Sequence, residues 1–278
     1  MQSDPTITAA LLRQPYHDCF VNGCDASNLL DNSDTIRSEK DSPQMDDDRG
    51  FDVVDKIKSA VEASCPGVVS CADILILGAE ASVSLSGGPS WNVTLGRRDS
   101  LTAFQAKATT DIPTSSANFT TLVSLFSNKG LNLTDLVALS GGHTIGHSPC
   151  TTIKPRLYNY APQGSPYLNS TYMAKLQKIC PRNATKKQIA NLDPRSPITF
   201  DNSYFKNLLT NEGFLITDQN LYSSSGSPTI DLVKKFSDNQ SLFFDHFVYS
   251  MNKMGNVNPL TGKNGEIRLN CRKVNNAN

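Results

Sequence analysis

Arg13-Gln14-Pro15-Tyr16-His17-Asp18-Cys19-Phe20 is the most informative stretch of this 278-residue chain. It holds one of only four histidines, four residues after an arginine. Side chains at i and i+4 of a helix point the same way, so Arg13 and His17 can act together on one small molecule. A bland reading, a capped surface histidine beside an exposed arginine, competes with it. The flank Asp18-Cys19-Phe20-Val21-Asn22-Gly23-Cys24-Asp25 weighs against that reading. It packs carboxylates, backbone carbonyls and two cysteines into one short loop, and hard cations bind such oxygens. A second histidine stands in Leu139-Ser140-Gly141-Gly142-His143-Thr144-Ile145-Gly146. On a separate helix it could ligate a metal.

Composition narrows the class. The chain carries 26 basic and 26 acidic residues. A nucleic-acid binder usually needs a basic surplus, so pairs such as Lys186-Lys187 read as solvated faces. No apolar run reaches membrane-spanning length. Seven cysteines (Cys19, Cys24, Cys65, Cys71, Cys150, Cys180, Cys271) and N-x-S/T sequons at Asn92, Asn118, Asn132, Asn169, Asn183 and Asn239 favour an oxidising, glycosylating compartment. Met1-Gln2-Ser3-Asp4-Pro5 has no signal-peptide character. The expectation is that the natural N-terminus lies upstream.

The periodicity is mostly helical. Asp4-Pro5 reads as an N-cap and first helical position opening a helix to about Cys19. Phe51, Val54, Ile57 and Val61 share a face, and Cys71 to about Leu85 is apolar enough for a buried helix. Leu122, Leu125 and Phe126 mark another, ended near Gly130. Leu136 to Gly146 predicts a helix bearing His143. Asp201 to Leu209 and Phe244, Phe247, Val248, Met251, Met254 mark two more. Asp41 to Asp48 and Ser223 to Ser227 are loops, and Asn275 to Asn278 a tail. Strand signals are few and short.

The two histidine segments, with Gly88-Pro89-Ser90-Trp91, Gly96-Arg97-Arg98-Asp99-Ser100 and Met254-Gly255-Asn256, closely resemble the secreted plant (class III) haem peroxidases from about Ser3 to the end. The resemblance implies an all-α haem peroxidase fold: a single domain over 1–278, with two helical subdomains sandwiching a haem b. The distal one spans about 1–114 plus the segment around Cys271, and the proximal one about 115–260. It implies reduction of hydrogen peroxide to water with one-electron oxidation of small phenolic donors, and roles in hydrogen peroxide catabolism and the response to oxidative stress. The protein would be monomeric and secreted, extracellular or in the cell wall.

Residue by residue, the resemblance makes His17 the base that moves a peroxide proton. Arg13 would stabilise the departing hydroxide. His143 becomes the iron ligand and Asp218 the carboxylate acceptor of its other N–H. Asp18, Val21, Gly23, Asp25 and Ser27 would hold one calcium ion, and Thr144, Asp193, Ser196, Thr199 and Asp201 a second. For Asp193 alone, a turn or N-cap would be the better reading. Pro113 matches the proline where donors approach, and Glu39 a glutamate behind the distal histidine. Bridges Cys19–Cys24, Cys71–Cys271 and Cys150–Cys180 are implied. Cys65 would pair with a cysteine on an opening helix absent from this sequence, so it is expected unpaired. His147 is one turn from His143, but no third ligand completes a metal site; it reads as solvated, and His246 as structural.

The sequence departs from the family pattern in several places. Pro15, inside the first helix, removes an N–H and opposes the Leu11 carbonyl, at a cost of roughly 3 kcal/mol. A kink there would shift Arg13 relative to His17. Tyr16 replaces a phenylalanine. The asparagine that accepts from the distal histidine is absent, with Gln44 the candidate substitute. Thr6, Ala10, Asp47 and Pro149 stand where the family anchors haem propionates. These departures define a second reading, a truncated or non-catalytic homologue acting as a secreted calcium-binding glycoprotein. A non-haem calcium-binding protein is a third reading, which leaves both histidines without a role.

Overall fold

The computed structural model describes residues 6–45, 49–158, 166–223 and 227–275. The expectations placed on Asp4-Pro5, on Asp46 to Asp48, on residues 224–226 and on the last three residues lie outside the described residues. Among the described residues the secondary structure is almost entirely helical, with one two-stranded sheet. None of the helices among them is long and apolar enough to cross a membrane. The chain divides into two compact units: Met1–Leu85, Ser90–Ile112 and Met251–Asn278 form the first; Ser86–Pro89 and Pro113–Ser250 form the second.

The first unit is built on α1 (Ile7–Val21), α2 (Phe51–Ser64), α3 (Cys71–Leu85) and α4 (Gln105–Asp111). The apolar α3 packs against α1 and α2. Leu11, Leu29, Val54, Ile74, Leu75 and the Cys71–Cys271 bridge share one core. Burying each such aliphatic side chain contributes on the order of 2 kcal/mol. The start of α3 is closed by a side chain from a distant loop. Asp99 accepts from the backbone N–H of Cys71 at 3.0 Å and of Ala72 at 2.9 Å, satisfying two orphan donors. Arg97, two residues earlier, is buried on Asp73 (2.9 Å) and the Gly255 carbonyl (2.6 Å). The sequence segments around Gly96 and Gly255 are thus structural fasteners.

α1 runs through Pro15 without interruption. One missing N–H removes one rung of the ladder, while the apolar packing of Leu11, Leu12, Phe20 and Val21 holds both sides of it. Cys19 and Cys24 are bridged at the helix end. There Gly23 (φ +155°) is needed: a Cβ would collide with the Asn258 carbonyl oxygen.

The second unit comprises α5 (Phe119–Asn128), α6 (Leu133–Ser140), α7 (Cys150–Leu157), α8 (Ser170–Ile179), α9 (Ser203–Leu209), α10 (Ile216–Ser223), α11 (Ile230–Asp238) and α12 (Gln240–Met254) as far as Ser250. Gly130 (φ +73°) closes α5 where the sequence expected its end. A capping box starts α6. Asp135 N–H donates to Asn132 Oδ1 at 3.0 Å, and Asn132 N–H to Asp135 Oδ2 at 2.8 Å.

The single helix expected over Leu136–Gly146 is corrected. α6 stops at Ser140, a 3-10 turn covers Gly141–Thr144, and Gly146 has φ +103°. The cause is packing. A Cβ on Gly141 would lie 2.5 Å from the Phe243 ring and 2.9 Å from that of Phe205. Phe200, Phe205, Phe236, Phe243 and Phe247 form the aromatic core that presses there. The chain then forms β1 (His147–Pro149), antiparallel to β2 (Ile189–Asn191), with His147 opposite Asn191. His147 is half-buried in that strand. The Cys150–Cys180 bridge joins α7 to the end of α8, over a core that includes Ile153, Leu157, Tyr172 and Leu176. Cys65 is free and exposed.

Candidate active site

In the first unit, Arg13 Nε donates to His17 Nε2 at 2.8 Å. A guanidinium can only donate, so Nε2 must hold the lone pair. The neutral imidazole proton is then on Nδ1. That atom faces the sulfur of Met45 at 2.7 Å. Gln44, the expected substitute acceptor, does not take this place. Its side-chain amide donates to the Thr109 carbonyl at 2.9 Å, and its own carbonyl accepts from Arg13 Nη2 at 3.3 Å. The 3-10 turn Pro43–Met45 directs the next side chain inward, and Met45 is buried. A thioether is a weak acceptor. Glu39 holds the N–H of Phe104 at 2.9 Å through Oε1, and its Oε2 is buried without a partner. Burial pushes its carboxyl up to about 7, against the pull of the Phe104 N–H.

Tyr16 follows Arg13 and Gln14 on α1, its ring 4.5 Å from Phe20 and 5.5 Å from His17. Burial raises its hydroxyl above the ordinary phenol range despite the opposing Arg13 charge. Thr6 accepts from Arg49 Nη1 at 3.5 Å, Ala10 is half-buried, and Pro149 lies half-buried in β1. Asp47 lies outside the described residues.

Beside His17, the residues expected to hold a first cation are all buried: Asp18, Val21, Gly23, Asp25 and Ser27. Both carboxylate oxygens of Asp18 and the Ser27 hydroxyl lack any hydrogen-bond partner. Burial, then the neighbouring Asp25 charge, lifts Asp18 well above the usual carboxylate range. Asp25 is also raised by burial, while Ser27 N–H, at 3.1 Å from Oδ1, opposes the rise. Two adjacent buried acids, one of them with both oxygens orphaned, are costly unless a cation or protons neutralise them.

The second expected cluster closes largely on itself. Thr144 Oγ1 donates at 3.3 Å to Asp193 Oδ2 and at 3.2 Å to Asp201 Oδ1. Ser196 Oγ donates to Asp201 Oδ1 at 3.0 Å. Asn207 Nδ2, which the sequence reading missed, donates to Asp193 Oδ1 at 2.8 Å. Thr199 is exposed and joins by its backbone N–H, which donates to the Ser196 carbonyl. Burial raises Asp193, and the Arg195 N–H counters it. Among the described residues no three or more His, Cys, Asp or Glu side chains could hold a metal by themselves. A cation at either place would therefore rely on hydroxyls and carbonyls, the ligand type calcium accepts.

In the second unit, His143 sits on the 3-10 turn after α6, with its side chain 41% exposed. Its Nδ1 is 2.8 Å from Asp218 Oδ1. An ionised carboxylate only accepts, so Nδ1 bears the proton and Nε2 the lone pair. The Leu215 N–H donates to Asp218 Oδ2 at 2.8 Å, and the Tyr204 hydroxyl to Oδ1 at 3.2 Å. Burial acts to raise the Asp218 carboxyl, but His143 and these donors together hold it below the usual range. Tyr204 is a third member that sequence reading missed; nothing distinguishes it from an ordinary core residue of α9. Pro113 is half-buried, and His246 packs 5.3 Å from the Phe236 ring.

The sequence matches the peroxidase family over residues 1–239. It is 57% identical over 279 residues to Peroxidase 15 of Ipomoea batatas, an alignment covering 99% of this chain and 85% of that protein. Peroxidase 54 of Arabidopsis thaliana is 51% identical over 278 residues, covering 99% of this chain and 78% of that protein. The lignin-forming anionic peroxidase of Nicotiana tabacum is 50% identical over 277 residues, covering 99% and 85%. With a buried histidine held by an exposed arginine on one helix, a histidine–aspartate pair elsewhere and this extent of similarity, the chain belongs to the peroxidase family.

Proposed function

We propose that this protein is a secreted haem peroxidase that reduces hydrogen peroxide to water and oxidises small phenolic donors one electron at a time. The observation that carries the reading is the His143–Asp218 pair: an imidazole whose Nδ1 proton is committed to a buried carboxylate at 2.8 Å, leaving a basic Nε2 on a half-exposed ring. That arrangement suits an axial iron ligand and strengthens its donation. The haem, when bound, supplies the iron at which the peroxide is reduced and from which donors are oxidised.

The other steps belong to the chain's own side chains. His17 Nε2 carries the lone pair; once peroxide displaces the Arg13 Nε–H from it, it takes the proton from one peroxide oxygen and returns it to the other, so that water leaves. Arg13 donates toward the same place and stabilises the negative charge of the departing oxygen. The Nδ1–H···S contact with Met45 sets the ring's tautomer during this transfer. Asp18, Asp25 and Ser27, with the carbonyls of Val21 and Gly23, hold one calcium ion; the orphaned oxygens of Asp18 and Ser27 support this. Thr144, Asp193, Ser196, Thr199 and Asp201 hold the second. Donors approach near Pro113. The disulfides and the sequons support secretion.

The test is a haemin titration of calcium-loaded, oxidatively folded protein, followed by hydrogen peroxide. A saturable Soret shift that His143→Ala abolishes, with a further spectral change on adding peroxide, is expected. Folded protein without specific haem binding would sink the proposal.

A further inference from the structure

Asp218 Oδ1 is a shared acceptor. It receives His143 Nδ1 at 2.8 Å and the Tyr204 hydroxyl at 3.2 Å, while Oδ2 is occupied by the Leu215 N–H. Asp218 and Tyr204 are both buried, so water does not dilute the contact between them at the shared oxygen. The Tyr204 ring cannot swing away. It lies on α9, meets the His143 ring edge-on at 6.2 Å and the Phe205 ring edge-on at 5.0 Å. Each donor on one oxygen withdraws some of its charge. A second donor therefore weakens the pull of that oxygen on the first.

We propose that Tyr204 is a positioning residue of the proximal pair, whose hydroxyl competes with His143 for Asp218 Oδ1 and so limits how anionic the His143 imidazole becomes. The proposal rests on the reading of His143 as the iron ligand. The chemical consequence has a definite sign. With the hydroxyl present, Asp218 pulls less on the Nδ1 proton, and Nε2 is a weaker donor than the His143–Asp218 pair alone would make it. A weaker donor favours the ferrous state relative to the ferric. The hydroxyl thus moderates the carboxylate instead of adding to it.

Two variants in the haem-loaded full chain test this in opposite directions. Tyr204→Phe removes the donor and keeps the ring packing. Replacing Tyr204 by 3-fluorotyrosine keeps the ring and makes the hydroxyl a stronger donor. The readouts are the ferric/ferrous midpoint potential and the iron–histidine stretching frequency of the ferrous form. Tyr204→Phe is expected to favour the ferric state about tenfold, about 59 mV toward negative potential for a one-electron couple, and to raise the stretching frequency. The fluorinated residue is expected to shift both the other way. A residue that only filled space would not produce opposite shifts. If the wild-type stretch is present but neither variant moves it or the potential, or both move it in one direction, the proposal is wrong while the ligand reading stands. If the wild type shows no iron–histidine stretch, the ligand reading fails and the proposal with it. Should Tyr204→Phe not fold, the fluorinated protein alone decides: an unshifted potential refutes the proposal.

Discussion

The Nδ1 atom of His17 faces the sulfur of Met45 at 2.7 Å, while Nε2 accepts from Arg13 at 2.8 Å. The imidazole is held from both ends, but one of its two partners is a poor acceptor. This contact is the point where the site departs most from what the family resemblance implied, since an amide oxygen was expected to face Nδ1.

The contact predicts how Met45 variants behave. Met45→Gln offers an amide oxygen in place of sulfur and is expected to speed the reaction with peroxide about tenfold, the lower end of the effect such supporting hydrogen bonds have. Met45→Leu, similar in volume with no acceptor, should slow it. Stopped-flow rates against peroxide concentration measure both. Equal rates in the two variants would show that the sulfur does not act on His17.

His17 itself is expected to account for most of the proton transfer. His17→Ala should lower the peroxide rate by about 10²- to 10⁴-fold. Haem binding, read from the Soret band, should persist, because no part of His143 or its hydrogen-bond partners is altered. Loss of haem in this variant would mean that His17 has a structural role instead.

Pro15 costs stability without disturbing the pair. α1 is continuous, and Arg13 already reaches His17. Pro15→Ala is therefore expected to stabilise the fold by about 1–3 kcal/mol, with an unchanged peroxide rate. Urea unfolding monitored by circular dichroism gives the first quantity. A large change in the peroxide rate would show that the proline sets the Arg13–His17 geometry.

Calcium removal should make stability depend on pH in a particular direction. Asp18, Asp25 and Glu39 are buried, and burial raises all three carboxyls. A raised folded-state value means that the folded chain binds protons more tightly than the unfolded chain, so stability falls as pH rises. For Glu39 the window runs from 4.5 to about 7. At about 1.4 kcal/mol for each pH unit this one group accounts for up to ~3 kcal/mol. Chelated protein should thus lose stability across that window, while calcium-loaded protein loses much less. Parallel thermal melts with and without chelator, at pH 5 and pH 7.5, measure the difference. Identical pH dependence in both would remove the calcium ion from this loop.

Much of the fold was legible in the sequence because it is written in local periodicity. The apolar run from Cys71 gave α3 with its limits, and Leu122 with Phe126 gave the buried face of α5. α4, α7, α8, α10 and α11 were not read. α7 contains Pro155, and α8 and α10 are short and polar, so their helicity comes from packing and caps and not from a strong apolar stripe. The break after Ser140 was also invisible, because it depends on two phenylalanine rings that arrive from α9 and α12.

The sequence by itself determined that Arg13 and His17 lie four apart on one helix and that a second histidine stands at 143; the aspartate at 218 was legible only through the family resemblance. Spacing along a helix is a local property, so it survives without any knowledge of the fold. The tertiary structure alone decided what those groups face. It placed Met45 instead of Gln44 against Nδ1 of His17, sent Glu39 to the Phe104 N–H, and put the Tyr204 hydroxyl on the oxygen that His143 uses. These partners come from segments distant in sequence. Their distances are set by how whole elements pack, and no local pattern encodes that.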